Sequence, residues 1–232
     1  MISFKQAHIG HNKTLLAIES LSLAKGEVYI LAGRNGAGKS TLLKTLTKEV
    51  SLIAGNISLN ETELNGIRPN DISKHLAFVR SSFPNVDYLK VLDFVALGRT
   101  PFTNALGRLT SNDLKIVAEA IDALNINELA DKFTSELSDG ERQLTAIARA
   151  IAQETSIILL DEPTAFLDYS NKMRVLELLK RIAQEMNKCI VMSSHDIDLS
   201  IDSNCPFLVL SEAGIQLLET PVSKQQVLEL AF

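Results

Sequence analysis

Only six prolines and two cysteines occur among the 232 residues, and each scarcity excludes something. With so few prolines and 46 % hydrophobic residues, the chain is not a disordered one; it buries one sizeable core with room for a smaller inserted lobe. Cys189 lies in an apolar run and Cys205 stands before Pro206. Neither has the Cys-x-x-Cys or Cys/His spacing of a zinc site, which leaves two ordinary reduced thiols. Also missing is any run of the roughly eighteen to twenty apolar residues that crosses a bilayer; the longest aliphatic run near the middle is Ile157 to Leu160. The first ten residues, MISFKQAHIG, alternate like a strand and lack the basic-then-apolar order of a secretory signal, so a cytoplasmic address is expected. Positive charge is in deficit too. At a formal −5 the chain as a whole has no cationic surface to concentrate nucleic acid, and no nucleic-acid partner is expected.

What is present reads as an α/β protein. Short strands are expected at residues 2–7, 28–32 and 56–60, with a helix over 39–48. From 91 to 129 apolar residues recur at threes and fours, among them Ile116, Val117, Ala120, Ile121 and Leu124, which predicts a helical insert. Helix and strand then alternate again: a helix over 141–153, a strand at 157–160, a helix over 174–185 and a strand at 189–192. Unbroken apolar strands of this kind belong to a buried parallel sheet. A hairpin over 207–218, turning at Ala213-Gly214, and a short helix from Val222 complete the chain.

Gly33-Arg34-Asn35-Gly36-Ala37-Gly38-Lys39-Ser40, followed by Thr41, matches G-x-x-x-x-G-K-[ST] between a strand and a helix. Glycines let successive N–H groups turn inward, and this nest, added to the helix N-terminus, holds phosphate oxygens. Lys39 would reach the β- and γ-phosphates and the Ser40 hydroxyl would bind Mg2+. The bland alternative is a glycine-rich turn, weakened by the strand and helix flanks. Alone, the loop says only nucleoside triphosphate. Downstream, Ile157-Ile158-Leu159-Leu160-Asp161-Glu162 places two carboxylates at the C-terminal end of a buried strand, where ligands collect in open α/β sheets. Asp161 is suited to steady Mg2+ through water, and Glu162 to orient or deprotonate the attacking water. A solvated strand end is an equally good reading of these two acids taken alone.

Between loop and acidic strand stands Leu137-Ser138-Asp139-Gly140-Glu141-Arg142-Gln143, which resembles the signature motif of ABC ATPases. Asp161-Glu162-Pro163-Thr164, Leu167-Asp168 and Ser194-His195-Asp196 follow in the family's order. The resemblance covers essentially the whole chain. It implies a P-loop NTPase core with an N-terminal antiparallel β subdomain (1–81 and 136–232) and an inserted α-helical subdomain (82–135) carrying the signature at its C-terminal end. It also implies ATP and Mg2+, and a second copy packed head to tail so that Ser138, Asp139, Gly140 and Glu141 cover the other copy's nucleotide. His195 would touch the γ-phosphate, and Asp168, the D-loop residue, the partner chain. Read from chemistry, Ser138 is a suitable N-cap whose helix end binds anions. Asp168 has the competing reading of a helix cap, and a lone histidine is more often structural.

Three positions depart from the family pattern. Ser81 stands where most members have a glutamine that senses Mg2+ and γ-phosphate; its single hydroxyl suggests a water-bridged contact and altered coupling. His11 takes the place of the adenine-stacking aromatic. Asp139 and Glu141 replace glycine and glutamine, and Asp139 is expected to face away from the nucleotide. The segment 95–102, VALGRTPF, resembles the insert of ATPases that import iron-siderophore complexes, haem or cobalamin. The resemblance implies transmembrane permease subunits, a substrate-binding protein and attachment to the cytoplasmic face of the membrane. Alternatives are a soluble ABC ATPase uncoupled from transport, a small-molecule kinase, a binding module without turnover, or a transporter ATPase for another solute.

Overall fold

The computed structural model describes residues 1–81, 87–104, 106–165, 167–211 and 214–231. In chain order the first half comprises β1 (Ile2–Gly10), β2 (Thr14–Leu23), β3 (Val28–Gly33), α1 (Lys39–Leu46), β4 (Ala54–Leu59), β5 (Thr62–Glu63) and β6 (Leu76–Val79). Next come α2 (Val91–Ala96), α3 (Ser111–Ala123), α4 (Asp139–Ala152), β7 (Ile157–Leu160) and α5 (Tyr169–Glu185). The chain closes with β8 (Cys189–Ser193), α6 (Ile197–Asp202), β9 (Phe207–Ser211), β10 (Gly214–Leu218) and α7 (Lys224–Ala231).

Two sheets result. The N-terminal one is antiparallel in the order β2-β1-β4-β5. The larger runs β10-β9-β3-β8-β7-β6, parallel from β9 to β6, with β10 antiparallel at the edge. Neighbouring side chains on a strand point to opposite faces, and the strands here are apolar on both. Val28, Ile30, Ile158, Leu160, Ile190 and Met192 share one buried cluster with α4 and α5, whereas Tyr29, Leu31, Ile157, Leu159 and Val191 share another with β1, β2 and α1. That is why β7 reads IILL with every residue buried.

Among the described residues the insert shares its core with the rest of the chain. Val91, Val95, Val117 and Ile121 lie in the cluster that holds Ala146, Ile147 and Ile151 of α4 and one face of the large sheet. The expected helical stretch 91–129 is divided. Its first helix gives way to a 3-10 segment, Leu97–Phe102, containing Pro101, which has no N–H to continue a helix. A new helix begins at a Thr110/Asp113 capping box. Strands β2, β5 and β6 were not expected; β2 buries residues at mixed spacings and β5 has two residues. Expected turn residue Ala213 lies outside the described residues, as does position 82, the expected start of the insert.

Candidate nucleotide site

Parallel pairing carries four strand ends to one edge. Leu31 on β3 is level with Ser193 on β8, Met192 with Leu160 on β7, and Leu160 with Val79 on β6. The residues that continue past those ends are the phosphate loop, the Ser194-His195 segment, Asp161-Glu162 and Ser81.

Within the loop, Gly33 has φ 152° and Gly38 φ 107°, left-handed conformations that disfavour side chains. Space is short as well: a Cβ at Gly33 would lie 2.8 Å from the Leu210 carbonyl oxygen, and one at Gly38 3.0 Å from Leu16 Cδ1, which would have to shift. Gly38 leads into α1 without a side-chain cap and with no acid in the first turn, so its N-terminal N–H groups are left to a ligand. Lys39 is buried, and its Nζ donates to the carbonyls of Gly33 at 2.7 Å and Arg34 at 3.3 Å. Burial lowers its pKa, while the carboxylates of Glu162 and Asp161 oppose that shift. Ser40 is exposed and Thr41 half-buried at the start of the helix, while Arg34, Asn35 and Gly36 are exposed at the loop tip and Ala37 is half-buried.

Asp161 and Glu162 are joined by a residue the sequence reading missed. Ser193 Oγ, fully buried, donates to Asp161 Oδ1 at 2.8 Å and accepts the Glu162 N–H at 2.8 Å. The bond helps hold Glu162 at φ 50°, an uncommon conformation for a side-chain-bearing residue that costs about 1–3 kcal/mol. In exchange the carboxylate is aimed at His195, whose Nε2 lies 2.6 Å from Glu162 Oε1. The only signal for Ser193 was a hydroxyl ending a buried apolar strand. Lys172, 3.0 Å from Asp196, ties α5 to the histidine segment.

The signature residues form a second feature. Ser138 caps α4 with Glu141 in a reciprocal capping box. Asp139 is 3.4 Å from the Arg142 guanidinium. Asp168 caps α5, accepting from Asn171 N–H at 2.9 Å and Asn171 Nδ2 at 2.8 Å, and the backbone bond holds its carboxyl below the ordinary range. Ser138, Asp139, Gly140, Glu141 and Asp168 line a cleft of about 320 Å³. Among the described residues none of them hydrogen-bonds to the phosphate loop. Ser81 is exposed and lines a larger cleft, about 740 Å³, with Phe78, Phe94, Gln143, Arg149 and Glu162. There the Gln143 Nε2 is buried and makes no hydrogen bond among the described residues. His11 is exposed between β1 and β2.

The donor set suits a hard cation. Asp161 has one carboxylate oxygen engaged by Ser193 and Ser40 presents an exposed hydroxyl; two oxygen ligands are what Mg2+ takes when substrate phosphates and waters complete its shell. No cluster of three or more His, Cys, Asp or Glu ligands exists among the described residues, so a dedicated protein cage is not what this site offers. Among the described residues no helix is long and apolar enough to cross a membrane. Both cysteines are buried and free, and burial pushes the Cys189 thiol up to about 12.

A family model described as ABC transporter matches residues 16–165. An uncharacterised ABC transporter ATP-binding protein of Methanocaldococcus jannaschii is 40 % identical over 202 residues, 87 % of this chain and 70 % of that protein. The iron(3+)-hydroxamate import ATP-binding protein of Bacillus subtilis is 34 % identical over 198 residues, 85 % of this chain and 74 % of that one. A solved inward-facing ABC transporter, described as of metal-chelate type, superposes with a TM-score of 0.84 at 32 % identity, covering 100 % of this chain and 88 % of the other.

Proposed function

This chain belongs to the ABC transporter family, and from that premise we propose that it works as one of two identical copies packed head to tail, each closing its signature over the other's nucleotide. The chain is an ATP-binding, ATP-hydrolysing subunit that energises transport. Its nucleotide phosphates sit in the N–H nest of residues 33–41, and His11 lies against the adenine. Lys39 turns from the Gly33 and Arg34 carbonyls to the β- and γ-phosphates. Ser40, and Asp161 through water, hold Mg2+, which when bound neutralises charge on those phosphates. Glu162 orients the attacking water and takes its proton. His195 contacts the γ-phosphate, Asp168 the partner chain, and Ser81 reaches the metal shell through water.

The observation that supports this reading is the shared strand edge: one parallel register brings the ends of β3, β7 and β8, and with them the phosphate loop, Asp161-Glu162 and the Ser194-His195 segment, to the same side of the sheet, where His195 meets Glu162. Of Ser138, Asp139, Gly140 and Glu141, Asp139 alone shares a cleft with Glu162, and a second chain completes the enclosure. ATP binding then favours the closed pair over the open one, and that difference in affinity is the work delivered.

The residues of the insert, 82–135, serve as the lobe that receives transmembrane permease subunits, which hold the ATPase on the cytoplasmic face. A metal chelate, of the iron-siderophore, haem or cobalamin type, is the cargo, delivered by a substrate-binding protein. The iron(3+)-hydroxamate import relative, the metal-chelate type structure and the segment 95–102 support that class. Two measurements test the reading. Purified Glu162→Gln protein with ATP and Mg2+ is expected to bind nucleotide and to dimerise; failure at both sinks it. Co-purification with the permease, followed by ATPase assay across metal chelates, is expected to show stimulation by one of them, and indifference to all removes the cargo assignment.

A further inference from the structure

Ser138 and Glu141 close on one another at the start of α4. Glu141 Oε2 accepts from the Ser138 N–H and from the Ser138 hydroxyl, each at 2.8 Å, and the Glu141 N–H donates back to Ser138 Oγ at 3.3 Å. The other carboxylate oxygen is 3.4 Å from Lys132 Nζ. Such a box is an ordinary way to start a helix, but its position here gives it a second consequence. In the head-to-tail reading, on which this inference rests, the same helix end must receive the partner's γ-phosphate. Both donors that Ser138 has to offer are already committed to an anion.

Two anions compete for one helix end. We propose that Glu141 is a resident anion at the signature helix, a positioning residue that keeps the Ser138 hydroxyl turned inward until the partner-bound triphosphate displaces it, and so sets the ATP concentration at which the dimer closes. The surroundings suit a displaceable group. Asp139 is 3.4 Å from Arg142, Asp168 caps α5, and Arg174 is the one cation among the described residues that line the cleft. Lys132 gives the displaced carboxylate a destination. Asp139 and Gly140 supply the remaining first-turn N–H groups for the incoming phosphate.

Glutamine at this position keeps the box and removes its charge, and hydrogen bonds to charged acceptors are about twice as strong as neutral ones. In a Glu162→Gln background, adding Glu141→Gln is expected to lower the ATP concentration for half-dimerisation about tenfold, equivalent to about 1.4 kcal/mol. Sedimentation over an ATP-Mg2+ series reads this. ATP affinity of the dilute monomer is expected to stay constant, because Glu141 does not line its own chain's nucleotide site; a merely structural role would not separate the two readouts. Glu141→Ala is expected to shift dimerisation in the same direction and guards against misfolding of the glutamine variant. Dimerisation at unchanged or higher ATP in both variants overturns the latch and leaves the pairing intact. A Glu162→Gln parent that binds ATP yet stays monomeric overturns the pairing, and the latch with it.

Discussion

His195 Nε2 lies 2.6 Å from Glu162 Oε1, a contact made between the segments that follow β8 and β7. It needs a proton on one partner, so the imidazole occupies the carboxylate assigned to the attacking water in the proposed reading. In the proposed reading a bound γ-phosphate would offer that imidazole a second acceptor, coupling arrival of ATP to release of Glu162 for the water.

Removing the carboxylate should therefore affect turnover and spare binding. Glu162→Gln is expected to reduce kcat for ATP by about 10²–10⁴-fold, the usual span for a lost general base, with nucleotide affinity nearly unchanged. Phosphate release in steady state and equilibrium nucleotide binding check the two halves separately.

Ser193 is buried and holds Asp161 and the Glu162 N–H together. Ser193→Ala leaves that N–H without its partner, at a cost of about 1–3 kcal/mol. We expect a lower thermal midpoint and a fall in kcat, because the left-handed turn that aims Glu162 loses its support; unchanged kcat with lowered stability would mean that Ser193 matters for folding alone.

Arg99 and Asp113 are each 5 % exposed and joined at 2.9 Å, with Arg99 also bonded to the Ala152 carbonyl and Glu154. The Thr110 hydroxyl first, then the Thr110 N–H and Arg99, hold Asp113 at about 2, below its ordinary 3.8. A carboxyl with a depressed folded-state pKa contributes stability that is complete above its unfolded value and lost as pH falls through the folded one. The thermal midpoint is expected to drop between about pH 4 and pH 2, and Asp113→Asn to lower stability near neutrality while removing that part of the pH dependence. Thermal unfolding over a pH series measures it.

Gln143 Nε2 is buried in the larger cleft without a partner among the described residues. Replacing an unsatisfied donor with an apolar group of similar shape recovers part of its desolvation cost, so Gln143→Met is expected to stabilise the isolated chain by about 1 kcal/mol, a rise of about 2–4 °C for a chain of this size. If permease contacts supply the missing acceptor, the same variant should show weaker stimulation of ATPase activity in the assembled transporter. A lowered thermal midpoint would show the amide to be satisfied in solution.

The phosphate loop, the capped start of α4 and the apolar strands were legible because each depends on a few consecutive residues: glycines that permit φ 152° and 107°, a serine and a glutamate three apart, aliphatics without interruption. The break at Pro101 was hidden by the helical spacing on either side of it. Ser193 was hidden for another reason. Its partners are 31 and 32 residues away, and nothing near it in the chain distinguishes a bridging hydroxyl from any serine that ends a strand.

By itself the order of the motifs determined that this is a nucleotide-binding α/β chain of the ABC type, because backbone geometry at a phosphate loop or a helix cap is settled locally. Tertiary structure alone decided that Glu162 meets His195 and that Ser193 links two carboxyl-bearing residues. Those contacts follow from the parallel register of β3, β8, β7 and β6, which brings residues more than a hundred positions apart to a common edge, and from which of several available partners a side chain reaches once packing has fixed its direction.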